Sequence, residues 1–216
     1  MLIQHMCSAY SDQRLYRELC YSLSNTIPEA EQRVFVPVRK QSLVGKNLPA
    51  LESISVEQRF VLRPHHRIFF RNKISIVYDE LISSNNFLEV DLVHSHFLFS
   101  DGAVALKLFQ NFGTPFITAV RNTDVNAFFR YRPDLKSVAF DVLDKAAAVV
   151  CLNQPYRSAL LEIVPSSLRK SIEHKTYVIP NGVEQSWLDN SFSTAKKLEA
   201  RPFQCIYVGD LSNNKN

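Results

Sequence analysis

The run Arg121-Asn122-Thr123-Asp124 crowds a guanidinium, an amide, a hydroxyl and a carboxylate behind the apolar stretch Phe116–Val120. An arginine there can grip a hydroxyl or a phosphate but, being permanently charged, cannot shuttle a proton. Thr123 or Asp124 would serve equally to cap a following helix by accepting from its backbone N–H groups. A second pair, His94-x-His96, alternates to one side of an extended segment, which is how a His-x-His metal pair looks. No third and fourth ligand accompanies it in the sequence, so no metal is expected. His94 then reads as a core histidine, and His96, nearer the end of its segment, as a site residue. Tyr10 and Ser11 offer hydroxyls just after the first apolar run, where Ser11 is also placed to cap the next helix. The stretch from Arg59 to Lys73 interleaves Arg59, Arg63, Arg67, Arg71 and Lys73 with Phe60, Phe69 and Phe70. That mixture suits an anionic membrane surface, an acidic glycan, or the solvated face of an amphipathic helix. Its aromatics follow a helical burial period, which argues against nucleic acid.

These groups act together only if the chain brings their segments to one edge. Leu2–Cys7 reads as a strand, followed by a helix with Tyr16, Leu19, Cys20 and Leu23 at i, i+3, i+4, i+7. Arg33–Val38 reads as a second strand. Residues 40 to 58, polar and holding Gly45 and Pro49, read as a loop, and Phe60–Arg63 as a short strand. Phe70, Ile74, Val77, Tyr78 and Leu81 then share one helical face. Val90–Phe97, Phe116–Val120, Ala147–Leu152 and Thr176–Ile179 are further strands. Between them lie a helix opened by Ser100 and closed by Gly113 and Pro115, one with the stripe Leu135, Val138, Ala139, Val142, Ala146, and one begun by Asn153 and Pro155. Strand, helix, strand with short connections implies right-handed crossovers. The fold class is therefore α/β, a Rossmann-like, doubly wound, mostly parallel sheet. Ligands of such sheets sit at the carboxyl ends of the strands. Ser8–Asp12, His94–Asp101, Arg121–Asn126, Asn153 and Asn181-Gly182 gather there, with Gly182 expected at positive φ in a turn.

Composition agrees. The 216 residues are 46% hydrophobic and 21% charged, enough for a core and too few charges for disorder. A net charge of +4 is too mild to argue for nucleic acid. Cys7, Cys20, Cys151 and Cys205 lie far apart without C-x-x-C spacing, as reduced, buried thiols of a cytoplasmic protein do. The start lacks the layout of a signal peptide, and no apolar run approaches the roughly 18 residues of a spanning helix. Residues 1–184 read as one domain and 185–202 as a polar linker. Phe203–Gly209 would be the first strand of a second domain, 203–216 being a truncated start of it.

Taken in order, Asp91-Leu92-Val93-His94-Ser95-His96-Phe97, Asp101-Gly102, Thr118 through Asp124, Val178-Ile179-Pro180-Asn181-Gly182-Val183, and Tyr207-Val208-Gly209-Asp210-Leu211 with Lys215 resemble glycosyltransferase family 4. The resemblance is to its acceptor domain and, at the end, to the opening of its donor domain. It implies the N-terminal half of a GT-B fold and retaining transfer of a sugar from a nucleotide-sugar, with no metal and no other cofactor. On it, Arg121 and Asp124 become the catalytic candidates. Tyr10, Ser11, Arg63, Lys73, His96, Asn122 and Thr123 become acceptor contacts, and Gly209 and Lys215 donor contacts. Arg121 stands where family members often carry a histidine, Ser8-Ala9-Tyr10-Ser11 replaces the usual glycine-rich loop, and Asp210 replaces a common arginine. The expected partners are a glycan or lipid-linked acceptor in surface polysaccharide synthesis and a nucleotide-sugar held by the second domain. Peripheral contact with the inner membrane face is also compatible. Residues 1–216 alone are expected to be inactive. The alternative is a non-catalytic glycan- or lipid-binding partner subunit.

Overall fold

A computed structural model describes residues 1–84, 87–183 and 185–189 of the chain. Parallel strands covered on both faces are buried throughout, as β1 (Leu2–Met6) is at every position, with Leu2, Ile3 and Met6 apolar and Gln4 and His5 polar. β2 (Glu31–Val38), β3 (Ile54–Phe60), β4 (Leu92–Ser95), β5 (Phe116–Val120), β6 (Ala148–Cys151) and β7 (Thr176–Val178) complete a seven-stranded sheet in the order β3-β2-β1-β4-β5-β6-β7. All six pairings are parallel. The chain winds outward from β1 to β3 and then returns to add β4 on the other side. The carboxyl ends of β1 and β4 therefore flank the topological switch point, where such sheets bind ligands.

The helices are α1 (Arg14–Thr26), α2 (Phe70–Ser84), α3 (Ser100–Phe112), the single turn α4 (Phe129–Tyr131), α5 (Lys136–Lys145), α6 (Gln154–Ile163) and α7 (Ser166–His174). Met1–Val183 form one unit; the short α8 (Gln185–Asp189) belongs to a second and lies in the stretch expected to be a linker. The larger core packs Phe70, Leu81, Leu108, Val142, Leu143 and Leu160 of the helices against Met6, Val93, Phe116, Val120 and Val149 of the sheet. A smaller core on the other side joins Tyr16 and Cys20 of α1 to Val34, Val36 and Val38 of β2. Cys7, Cys20 and Cys151 are free and buried.

Several expectations change. Most of β3 falls in the segment read as a loop, and the strand ends at Phe60, where the short strand Phe60–Arg63 is expected to begin. It is an edge strand in which only Ile54 is buried, so no apolar run announced it. Ser11 does not cap α1: the N-cap is Gln13 without a side-chain bond, and the buried Ser11 Oγ accepts from Gln58 Nε2 at 3.0 Å. Ser100 is the first residue of α3, with Phe99 as its N-cap. Gly182 lacks positive φ, unlike Gly113, which closes α3 at φ 72°. Asn153 caps α6 as expected, its Oδ1 accepting from Tyr156 N at 2.8 Å. The expected second-domain strand, and everything from residue 190 onward, lies outside the described residues.

Gly102 sets the distance between α3 and the sheet. A Cβ there would stand 2.9 Å from Val142 Cγ1 and 3.3 Å from both Phe97 O and Thr118 Oγ1. Overpacking costs about 1–3 kcal/mol, against a helix-propensity gain of about 1 kcal/mol on replacing glycine. Gly102→Ala is therefore expected to lower the urea-unfolding free energy by about 1 kcal/mol. A variant as stable as the parent would mean that α3 has room to move.

Candidate active site

Asp124 ties the switch-point loops together. Buried behind β5, its Oδ2 accepts from Arg121 N at 2.8 Å and from Leu98 N at 3.3 Å. Burial pushes its carboxyl up to about 6, offset by the amides of Arg121, Leu98 and Phe99 and by the Arg121 guanidinium. Expected to face a cleft as a catalytic group, Asp124 instead points inward, because backbone donors surround it. Neither it nor Thr123 caps a helix in the ordinary sense, Thr123 making no side-chain cap bond.

Arg121 is held from three sides. Its Nε donates to the His96 carbonyl at 3.2 Å and its Nη1 to Asn181 Oδ1 at 2.9 Å, while the guanidinium carbon sits 5.6 Å from the centre of the Tyr16 ring. Half-buried, it closes one end of a groove of about 510 Å³ that runs along the sheet beside α1. Ile3, Leu92, His94, Ile117, Ala119, Val150 and Leu152 line its floor, since alternate residues of neighbouring strands share that face. Arg121 and Asn181 stand at the carboxyl end, while Glu18 and Ser22 of α1 are the polar groups on the helix side. Asn122 and Thr123 are exposed at the same edge, Asn122 Oδ1 being taken by Asn126 Nδ2.

The two histidines exchange the places expected of them. His94 is half-buried and faces the groove; His96 is fully buried, with Tyr16 edge-on at 5.2 Å. β4 ends at Ser95, so His96 turns under α1 instead of opening at the strand tip. A third imidazole joins them: His5 pairs with His94 in strand register, and its Nδ1 lies 3.0 Å from His96 Nε2. One ring nitrogen from each lies within 4.8 Å of the others, so the expectation that no third ligand exists is corrected. These are the residues that would hold a transition metal. Burial lowers His5 to about 4, with the Gln32 side chain acting against it. His94 and His96 fall well below the usual range through burial, the charges of His5 and Arg121 and, for His96, that of His94. All three are neutral at pH 7. No sequence spacing pointed to His5, because only the β1–β4 pairing brings it there.

Tyr10 and Ser11, expected to touch an acceptor, are both buried; the Tyr10 hydroxyl has no hydrogen-bond partner among the described residues, and burial raises it above its ordinary value. Arg63 is exposed, its guanidinium 4.6 Å from the centre of the Phe60 ring. Lys73 is buried, and its Nζ donates to Ser100 Oγ at 2.5 Å. Behind it lies Asp101, whose Oδ2 accepts from Ser8 N at 3.2 Å. Burial pushes Asp101 up to about 7 and Lys73 down to about 8, each opposed by the charge of the other. Gly209 and Lys215 lie outside the described residues.

The sequence model of Glycosyltransferase Family 4 matches residues 20–187. No curated protein matches the chain. Among solved structures, sucrose-phosphate synthase from Thermosynechococcus elongatus superposes with a TM-score of 0.62 at 11% identity, over 86% of this chain and 49% of that one. Anabaena HepE in complex with UDP-glucose gives 0.56 at 14%, over 86% and 45%. Arabidopsis thaliana UGT89C1 complexed with UDP gives 0.56 at 11%, over 89% and 55%. A UDP-GlcNAc 2-epimerase from Neisseria meningitidis, bound to UDP-GlcNAc, is also similar, at 0.50 and 14%, over 83% and 46%. At such identities the likeness is one of fold: this sheet matches the N-terminal half of a GT-B protein. The chain spans about half the length of the solved structures it matches.

Proposed function

The chain belongs to glycosyltransferase family 4, and from that premise we propose that Met1–Val183 form the acceptor-binding half of a retaining sugar transferase. The donor would be a nucleotide-sugar held by a second domain, with Gly209 and Lys215 among its contacts. The acceptor would be a glycan or a lipid-linked sugar in surface polysaccharide synthesis. One observation carries the reading: Arg121 is fixed at the switch point by Asn181 and the His96 carbonyl, facing an open groove. A guanidinium so placed can hold a sugar hydroxyl or offset the charge that develops on a departing diphosphate. Asn122 and Thr123, exposed at the same edge, are placed to bind acceptor hydroxyls. Asp124 is a positioning residue that fixes the Arg121 backbone. No metal or other cofactor is assigned to the reaction, and the enzyme would work in the cytoplasm, with the acceptor end turned to the inner membrane face. Among the described residues no helix is long and apolar enough to cross a membrane.

A second reading, a non-catalytic binding subunit, is favoured by the same arginine, which stays charged and cannot shuttle a proton. A donor screen separates the two. A protein carrying both domains, given individual nucleotide-sugars and an acceptor mixture, is expected to release nucleoside diphosphate with one donor class and to retain the anomeric configuration by NMR. Residues 1–216 alone are expected to release none; turnover by them would overturn the two-domain assignment. Silence from the two-domain protein with every donor would favour the binding subunit.

A further inference from the structure

On the same carboxyl edge, away from the groove, a second cavity of about 340 Å³ lies between the end of β2, the start of α2, the start of α3 and the turn after α4. Five basic residues line it: Arg39, His66, Arg67, Lys73 and Arg132. Arg132 is paired with Asp134 at 2.7 Å, and it also donates to the carbonyls of Arg67 and Ile68. Among the described residues the one hydrogen bond of Arg39 goes to a carbonyl, that of Arg63 at 3.3 Å. Among the described residues no carboxylate comes within ion-pairing distance of Arg39, Arg67 or Lys73. The one acidic group that compensates Lys73 is Asp101, which lies behind it and is itself bound by Ser8 N. Like charges therefore face one another: Arg67 opposes the charge of Arg39, and Arg39 and Lys73 oppose that of His66. A buried lysine facing Arg39, with Arg67 set against Arg39 in turn, leaves an excess of positive charge that an anion would complete.

We propose that this cavity binds the phosphoryl group of a phosphorylated small molecule. Arg39 and Arg67 would supply planar forks and Lys73 a point charge, with the Ser100 hydroxyl beside it. The assignment of that molecule as the sugar acceptor rests on the transferase reading; the presence of the site does not. Tyr131, which lines the cavity, is 67% exposed, and Ile68 and Phe69, next in the chain to the lining residues Arg67 and Phe70, are 72% and 60% exposed. Apolar and aromatic side chains around a basic pocket suit a phosphate that emerges from a bilayer. A soluble sugar phosphate presents the same headgroup without the chain.

The probes are inorganic pyrophosphate, by calorimetry at low salt, and vesicles of phosphatidylcholine with or without phosphatidic acid, by co-sedimentation. The chain is expected to bind pyrophosphate, and Arg39→Gln and Arg67→Gln each to weaken it about tenfold or more. Lys170→Gln, at an exposed position of α7, is expected to leave it unchanged. Co-sedimentation that requires phosphatidic acid and is competed by pyrophosphate assigns the group to a lipid; pyrophosphate binding without co-sedimentation assigns it to a soluble phosphorylated compound. Absence of pyrophosphate binding, or binding indifferent to both arginines in variants with parental circular dichroism, overturns the proposal. Phosphate binding together with failed sugar transfer by the two-domain protein would leave the cavity standing and remove the transferase reading.

Discussion

Arg121→Ala, in a protein carrying both domains, is expected to lower kcat/KM at least tenfold, a loss of about 1.4 kcal/mol in transition-state binding. The guanidinium makes two hydrogen bonds and lies against Tyr16, so its position is set before substrate arrives. Pre-set charge acts most strongly where charge develops during reaction, which places the loss mainly in kcat. Arg121→Lys keeps the charge but can satisfy only one of the two acceptors with matching geometry. It should recover part of the activity if electrostatics dominate and little if orientation does. Folding should change little, because the side chain is half-exposed and its Asn181 acceptor lies at the surface. Kinetics equal to the parent in Arg121→Ala would remove the residue from the site.

Asp124→Ala is expected to produce the largest loss of stability, about 3–5 kcal/mol in urea unfolding at pH 7. The carboxylate serves the buried amides of Arg121 and Leu98, and alanine would strand them without water or a replacement acceptor. Asp124→Asn retains one side-chain oxygen and should lose about half as much. If both variants unfold at the same denaturant concentration as the parent, the loops are held by something other than this side chain.

Much of the frame was legible because it rests on local signals. β5 is found at the predicted residues, the face of α2 carries Phe70, Ile74, Val77, Tyr78 and Leu81, and Gly113 and Asn153 end and begin helices as their chemistry requires. The site was less legible, because its geometry depends on which strands adjoin and where each ends. His5 enters only through the β1–β4 pairing, and His94 and His96 trade roles because β4 stops at Ser95. Tyr10 looked available as a residue in a turn after a strand, yet the fold buries it completely under the smaller core. Arg39 and Arg132 drew no notice, since nothing in their spacing says that the ends of β2 and α4 meet.

The neutral imidazoles and the two high carboxyls have a joint consequence in acid. Folded His5 stays unprotonated down to about 4 while an unfolded histidine takes its proton near 6.5, so in that interval unfolding absorbs protons and stability falls as pH falls. His94 and His96 act in the same direction. Asp101 and Asp124 do the opposite: from an unfolded value of 3.8 up to about 7 and about 6, unfolding releases their protons and stability falls as pH rises. The sheet and the loops at its carboxyl edge thus hold groups whose proton linkages offset one another. Mild acidification therefore exchanges one source of destabilisation for relief of another, and the edge that carries the site stays poised across the weakly acidic range.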